Sequence, residues 1–458
     1  MTGGVGSTGE TVARFPFDPI GDALGGIRAG LVDDARGAVA DYIPELATAD
    51  PDLFGLALVG VAGSAYAAGE ATTPFTIQSI SKPFAYALAL ADVGVEGVLA
   101  RVGVEPSGEA FNAISLEPGT GRPSNPMINA GAILTTSLVQ GSDPQDRFER
   151  IRVLLSRCAG RDLAVDEAVF RSEYGTGDRN RALAHLMRHA GSLTAEVEDA
   201  VTVYFRQCSV LVTAVDLATM AATLANGGVN PRTGQVAMEQ RVAEQVLTVM
   251  ATCGMYDYSG EWLFRVGLPA KSGVAGGVVA VSPSQFGIGL FSPRLDERGN
   301  SVRGVEASRL LSERFSLHLM HQVGRSAPTF ERVSATADRP HPDGGGPTDE
   351  GTPSADDVAV LAVRGYLEFA AAEQALLALR THADDTGPPD AVVVDLTHVT
   401  RCHPAAAALL DAMVDQIGRR GVTVVTVDPL GRGLLVSSAE FATRAEALEF
   451  CRGVDAGG

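Results

Sequence analysis

Between Arg325 and Ala355 the chain passes through Pro328, Pro340, Pro342, Gly344-Gly345-Gly346-Pro347 and Pro353, set among Asp, Ser and Thr with almost no apolar residue. A stretch of that composition cannot bury enough surface to offset the entropy of ordering it, so it reads as a flexible linker. The 458 residues must then fold as separate units on either side. The expected organisation is a flexible N-terminus over 1–24, a first domain over 25–324, the linker over 325–355 and a second domain over 356–458. Hydrophobic residues make up 45% of the chain, enough for a core in each domain.

In the first domain an amphipathic helix is expected over 27–46, a strand over 53–61, a turn at Gly63-Ser64 and a short strand over 65–68. Helical patterns follow over 84–93 and through 96–226, broken by turns such as Glu117–Asn125. Val278–Val281 and Phe286–Phe291, flanked by Gly and Pro, read as paired strands. Strand, helical insert, strand describes a sheet whose two ends close around a helical subdomain. After the linker, strands over 358–363, 391–396 and 422–427 alternate with helices over 369–379, 405–417 and 439–451. That βαβα order predicts a small α/β domain with a parallel-leaning sheet, so the chain as a whole is α/β.

The formal net charge of -19 repels phosphate backbones and anionic lipid, which argues against nucleic acid or a membrane surface as partner. Apolar runs stay short of the ~20 residues of a membrane helix. Met1 to Glu10 has neither a basic nor an apolar export region, so a cytoplasmic location is expected. Cys158, Cys208, Cys253, Cys402 and Cys451 are scattered without CxxC spacing and read as reduced thiols, not as a metal site. His185 and His189 share an i,i+4 face but no third ligand is evident, and they are assigned no role.

Of the 36 Lys and Arg residues only Lys82 and Lys271 are lysines. Arginine supplies a fixed charge; lysine can also lose its proton near neutral pH. Coding bias alone could leave two lysines, but their positions are informative. Ser79-Ile80-Ser81-Lys82 is an SxxK that places the two Cβ atoms about 5–6 Å apart on one face of a helix start, so that the amine can reach the serine hydroxyl. Burial there disfavours the ammonium, so Lys82 can act as base towards Ser79. Pro83 suits a first turn, and Ser81 reads as a neighbour. Lys271-Ser272-Gly273 stands at the head of the strand pair, where a backbone N–H can form one arm of an oxyanion hole, the nucleophile's own N–H being the other.

The segment from about Gly25 to Val323 resembles the bacterial and mitochondrial-type glutaminases, relatives of the serine β-lactamases. The matching strings are Tyr42-Ile43-Pro44-Glu45-Leu46, Gln78-Ser79-Ile80-Ser81-Lys82-Pro83, Glu105-Pro106-Ser107-Gly108, Asn125-Pro126-Met127-Ile128-Asn129-Ala130-Gly131, Ser172-Glu173 with Gly177-Asp178-Arg179-Asn180, Met220–Gly228, Cys253-Gly254-Met255-Tyr256 and Leu268–Gly277. The resemblance implies a β-lactamase/D,D-peptidase-like domain that hydrolyses L-glutamine without metal or organic cofactor, as a homo-oligomer of two or four chains. It implies that Ser79 attacks, Lys82 takes its proton, Tyr256 shares proton transfer and the N–H groups of Val274 and Ser79 form the oxyanion hole. It further implies that Tyr42, Gln78, Asn129, Glu173, Asn180 and Tyr204 bind substrate, Glu173 receiving the α-ammonium.

Five of these binding residues have a second reading. Asn129 could shape a turn, Glu173 and Asn180 could be a loop charge and a helix cap, Tyr204 a core aromatic and Tyr42 packing. Two rival functions stay open: another SxxK acyl-enzyme hydrolase of the β-lactamase or D,D-peptidase type, and a non-catalytic glutamine-sensing regulator. Residues 356–454 resemble STAS domains through Val363-Arg364-Gly365, Val392–Leu396 with Val399, and Val422–Val427. Phospho-switching members carry Asp-Ser where this chain has His403-Pro404-Ala405, so the resemblance implies a binding module for an unknown ligand or protein and not a serine switch.

Overall fold

The computed structural model describes residues 18–41, 43–108, 116–320, 329–334, 357–436 and 438–454. They divide into two compact units, residues 21–321 and the rest.

The larger unit is built on a five-stranded antiparallel sheet of β1 (Gly55–Gly60), β2 (Ala65–Gly69), β5 (Ala270–Gly273), β6 (Gly277–Ser282) and β7 (Phe286–Phe291), in the order β2-β1-β7-β6-β5. A separate ladder pairs β3 (Phe75–Thr76) with β4 (Leu211–Val212). Between β3 and β5 lies the helical insert: a 3₁₀ turn over Gln78–Ser81, then α3 (Lys82–Leu99), α4 (Asn129–Leu138), α5 (Pro144–Ala159), α6 (Glu167–Thr176), α7 (Asp178–Ala190), α8 (Val197–Cys208), α9 (Ala214–Ala225), α10 (Gln240–Cys253) and α11 (Ser259–Arg265). α1 (Pro19–Leu31) and α2 (Pro44–Ala47) precede the sheet and α12 (Val302–Phe315) follows it. The expected strand pair is present, with Val278 opposite Leu290 and Ala280 opposite Ile288.

Small residues bring the insert onto the sheet. α9 reads AVDLATMAATLA, and β7 carries Gly287 and Gly289 against it. A Cβ on Gly287 would run into the backbone of Ala218 and Ala222, and one on Gly289 into that of Ala214 and Ala218. Helix and strand therefore meet backbone to backbone, and one hydrophobic cluster joins Leu217, Met220 and Leu224 of α9 to Val279 and Val281 of β6.

The expected helix over 27–46 does not form as one element. α1 closes at Leu31, Gly37 has φ +81°, and Ala38 makes an isolated bridge to Leu295 before α2 opens at Pro44. A positive φ and a tertiary bridge are both incompatible with helix propagation through that stretch.

In the second unit, β9 (Asp357–Leu367), β10 (Ala391–Cys402), β11 (Thr423–Val427) and β12 (Ala439–Phe441) are parallel, with α13 (Phe369–Thr386), α14 (Pro404–Gly418) and α15 (Arg444–Val454) between and after them. This is the expected βαβα alternation, except that the last element read as one helix from 439 divides into β12 and α15. A further difference concerns the linker: β8 (Thr329–Ser334) pairs antiparallel with β9, so part of the span 325–355 belongs to this sheet. Thr329, Phe330 and Val333 give that segment the β-branched and aromatic character the surrounding Pro/Gly run lacks. The rest of the expected linker and most of the expected flexible N-terminus lie outside the described residues.

Candidate active site

Ser79 lies in the middle of the 3₁₀ turn, not in the helix proper, and Lys82 is the first residue of α3. Gln78, just before the serine, has φ 50°, a left-handed conformation costly for a residue with a side chain. Its own side chain is buried, with Nε2 donating to Thr76 Oγ1 at 3.2 Å. Pro83 stands in the first helical turn, as its missing N–H allows.

Lys82 is wholly buried. Its Nζ donates to Asn129 Oδ1 at 2.7 Å and to Met127 O at 3.2 Å. Burial draws its pKa down to about 7, against a smaller upward pull from Cys208 and Glu173. A neutral amine has two N–H donors and one lone pair; with both donors taken, what Lys82 has left to offer is an acceptor for a proton.

Tyr256, on the short turn after α10, pairs with the Ser79 hydroxyl and also has a left-handed backbone, φ 57°. Its ring centroid is 5.6 Å from Lys82 Nζ and 3.7 Å from Lys271 Nζ. The ring of the serine's partner thus lies beside both lysines of the chain. Burial raises the Tyr256 pKa, so the phenol stays protonated, and it drives that of Lys271 well below the ordinary range, disfavouring the ammonium. Lys271 Nζ donates to Ser272 O at 2.8 Å. β5 itself comes close to the serine turn: a Cβ on Gly273 would stand 3.0 Å from Ile77 O. Val274 follows at the start of the turn 274–276 that leads into β6.

On the other side, Asn129 at the head of α4 links three groups. Its Oδ1 accepts from Lys82 and, at 3.3 Å, from Tyr204 Oη, while its Nδ2 donates to Asn180 Oδ1 at 3.0 Å. The turn before it is fixed by Asn125 Oδ1, which accepts from the N–H groups of Met127 and Ile128. Tyr204 comes from α8 and Asn180 from the first turn of α7. Glu173 on α6 is 9% exposed and, among the described residues, its Oε2 has no hydrogen-bond partner. Burial raises its pKa to about 7, with Lys82 pulling the other way. A buried, unpartnered carboxylate oxygen is the arrangement a substrate ammonium would satisfy.

The structure therefore brings together Ser79, Lys82, Tyr256, Asn129, Tyr204 and Asn180, with Lys271 on the strand wall. Glu173 joins them through its field on Lys82 and Gln78 through the serine turn, while Tyr42 lies outside the described residues. His185 and His189 are exposed on α7. Sequence reasoning missed Ser172 on Glu45, at 2.6 Å between α6 and α2, and the Cys208 thiol facing Ser81 and Tyr204. Gln207, three residues after Tyr204 on α8, was also missed; a wholly buried amide within Val203-Tyr204-Phe205-Arg206-Gln207-Cys208 was the available signal.

Comparison with known proteins gives the following matches. A family model described as Glutaminase matches residues 37–320, and a STAS domain model matches residues 351–433. A glutaminase of Trichormus variabilis is 55% identical over 288 residues, 63% of this chain and 86% of that protein. A glutaminase of Corynebacterium glutamicum is 45% identical over 413 residues, 90% of this chain and 94% of that protein. Glutaminase 2 of Bradyrhizobium diazoefficiens is 46% identical over 404 residues, 86% of this chain, and the chain spans 62% of that protein's length. Among solved structures, Mglu matches with TM-score 0.66 and 43% identity over 91% of this chain and 100% of its own. The probable glutaminase ybaS matches with TM-score 0.65 and 40% identity over 67% of this chain and 100% of its own.

Proposed function

The chain belongs to the glutaminase family and carries a STAS domain after it; from that premise we propose that it hydrolyses L-glutamine to L-glutamate and ammonia through an acyl-enzyme on Ser79. The observation that carries this reading is the setting of Lys82: wholly buried, with burial drawing its pKa down to about 7 so that about half of it is neutral at pH 7, its Nζ donating to Asn129 and Met127 and lying 5.6 Å from the ring of the tyrosine that pairs with Ser79.

Ser79 Oγ attacks the γ-carbonyl carbon of glutamine as its proton passes, directly or through Tyr256 Oη, to the Lys82 lone pair. The carbonyl oxygen gains the electron pair and is received by the N–H groups of Ser79 and Val274. The tetrahedral centre collapses, ammonia leaves with the proton from Lys82, and a γ-glutamyl ester remains. Water then attacks the ester, with Lys82 again taking and returning a proton. Glu173 holds the α-ammonium, and Asn129, Asn180, Tyr204, Gln78 and Tyr42 complete the head-group pocket. A structure of Mglu in its glutamate form supports glutamate as product. The family resemblance also supports a cytoplasmic homo-oligomer of two or four chains, which light scattering would check.

Ser79→Ala is expected to lower ammonia release by about a thousandfold or more while leaving the melting temperature unchanged. Full activity in that variant would remove the serine from the mechanism.

A further inference from the structure

Ser81 lies between serine and base in sequence, yet its hydroxyl is spent on neither. Ser81 Oγ donates to the backbone oxygen of Gln78 at 2.8 Å. Gln78 is the left-handed residue on which the direction of Ser79 depends. A carbonyl can only accept, so the Ser81 proton is committed to it, and Ser81 Oγ accepts in turn from Gln207 Nε2 at 3.3 Å. That orientation of the amide leaves Gln207 Oε1 facing Thr136, whose hydroxyl donates to it at 2.9 Å. Ser81, Gln207 and Thr136 are all 0% exposed. Every donor and acceptor along the line has its sense fixed by the one before, which is how a buried polar chain specifies a single geometry.

The same two helices supply both arms of the site. α4 gives Asn129 to the base and Thr136, two turns on, to this line; α8 gives Tyr204 to Asn129 and Gln207 to Ser81. We propose that Thr136, Gln207 and Ser81 are positioning residues for the reaction, a relay that clamps the Gln78 carbonyl, holds the left-handed turn and so aims the Ser79 hydroxyl at the γ-carbonyl. This rests on the reading of Ser79 as nucleophile. None of the three is assigned to the head group, and the group they hold is the backbone carbonyl of Gln78, not its side chain, so losing the relay should impair the attack far more than binding.

The test is steady-state ammonia release from glutamine, with thermal melting, on full-length Ser81→Ala, Gln207→Met, Thr136→Val and the Ser81→Ala/Gln207→Met double variant. Ser81→Ala and Gln207→Met are expected to lower kcat by about tenfold or more with KM within about threefold, because a small misaim of a nucleophile is a kcat effect. Thr136→Val should show a smaller loss of the same kind. The double variant should be no slower than Ser81→Ala alone, because Gln207 reaches the carbonyl only through Ser81. Unchanged kcat in Ser81→Ala, or losses that multiply in the double, overturn the relay. If Ser81→Ala fails to fold, Thr136→Val, which exchanges a hydroxyl for a methyl of the same shape, decides: unchanged kcat overturns it. An inactive Ser79→Ala beside a fully active Ser81→Ala sinks the relay alone, whereas an active Ser79→Ala sinks the nucleophile assignment beneath it.

Discussion

Glu173 shows what a residue proposed to bind substrate costs the fold at the scale of one side chain. Its pKa is raised from 4.5 to about 7, first by burial and in spite of Lys82. A raised folded pKa means that stability contributed by the neutral carboxyl is present below about 4.5 and is lost as pH rises through about 7. Above that value the protein holds a buried carboxylate with one oxygen unpartnered among the described residues. Glu173→Gln keeps the shape and removes the charge, so it should raise the melting temperature at pH 8 by a few degrees, equivalent to about 2 kcal/mol, and by much less at pH 5. The same substitution should raise KM for glutamine, because an amide cannot neutralise an ammonium. Scanning calorimetry at the two pH values checks the sign; an equal shift at both would mean that ionisation of Glu173 is not the destabilising factor. How far single residues could be read from sequence follows the same logic. Ser79, Lys82 and Tyr256 sit in short distinctive strings, whereas Ser81 could be understood only once Gln207, 126 positions away, was placed beside it.

Elements were legible where local pattern and tertiary demand agree. The β6–β7 pair is an apolar run bounded by turn residues, and it forms as read. The span 27–46 has helical periodicity, but the bridge of Ala38 to Leu295 takes the middle of it out of helix, and no local signal reports a partner more than 250 residues away. β8 was hidden for the opposite reason: six strand-competent residues embedded in a Pro/Gly-rich stretch look like part of it until β9 supplies the other half of the ladder. The contact of β7 with α9 makes the element-level argument testable. Gly289→Ala places a methyl inside the backbone of α9 at Ala214 and Ala218, which cannot retreat without leaving the sheet. It should cost about 3 kcal/mol or more in denaturant melts. Gly30→Ala, in α1 with no atom within 4 Å of the new Cβ, should be neutral or slightly stabilising and serves as its control. A Gly289→Ala protein as stable as the control would show that α9 can move off the strand freely.

At the scale of the molecule, every described residue of the candidate site comes from the unit spanning residues 21–321. The core beneath it, from Ile43 to Leu295, is built from that unit's own residues, and the second unit has a separate cluster around Val360, Val393 and Val425. The described site residues and this core are thus contributed by the first unit. The relatives divide in the same way: ybaS is covered completely by 67% of this chain, while Mglu is covered completely by 91% of it. A protein ending at residue 320 is accordingly expected to fold and to hydrolyse glutamine with kcat and KM within about threefold of the full chain, the range expected when no transition-state contact is removed. Ammonia release by the shortened protein checks this, with circular dichroism to establish that it is folded. A folded but inactive protein would mean that residues beyond 320 supply something the site needs, and the STAS domain would then have to be treated as part of the catalytic apparatus and not as a module attached to it.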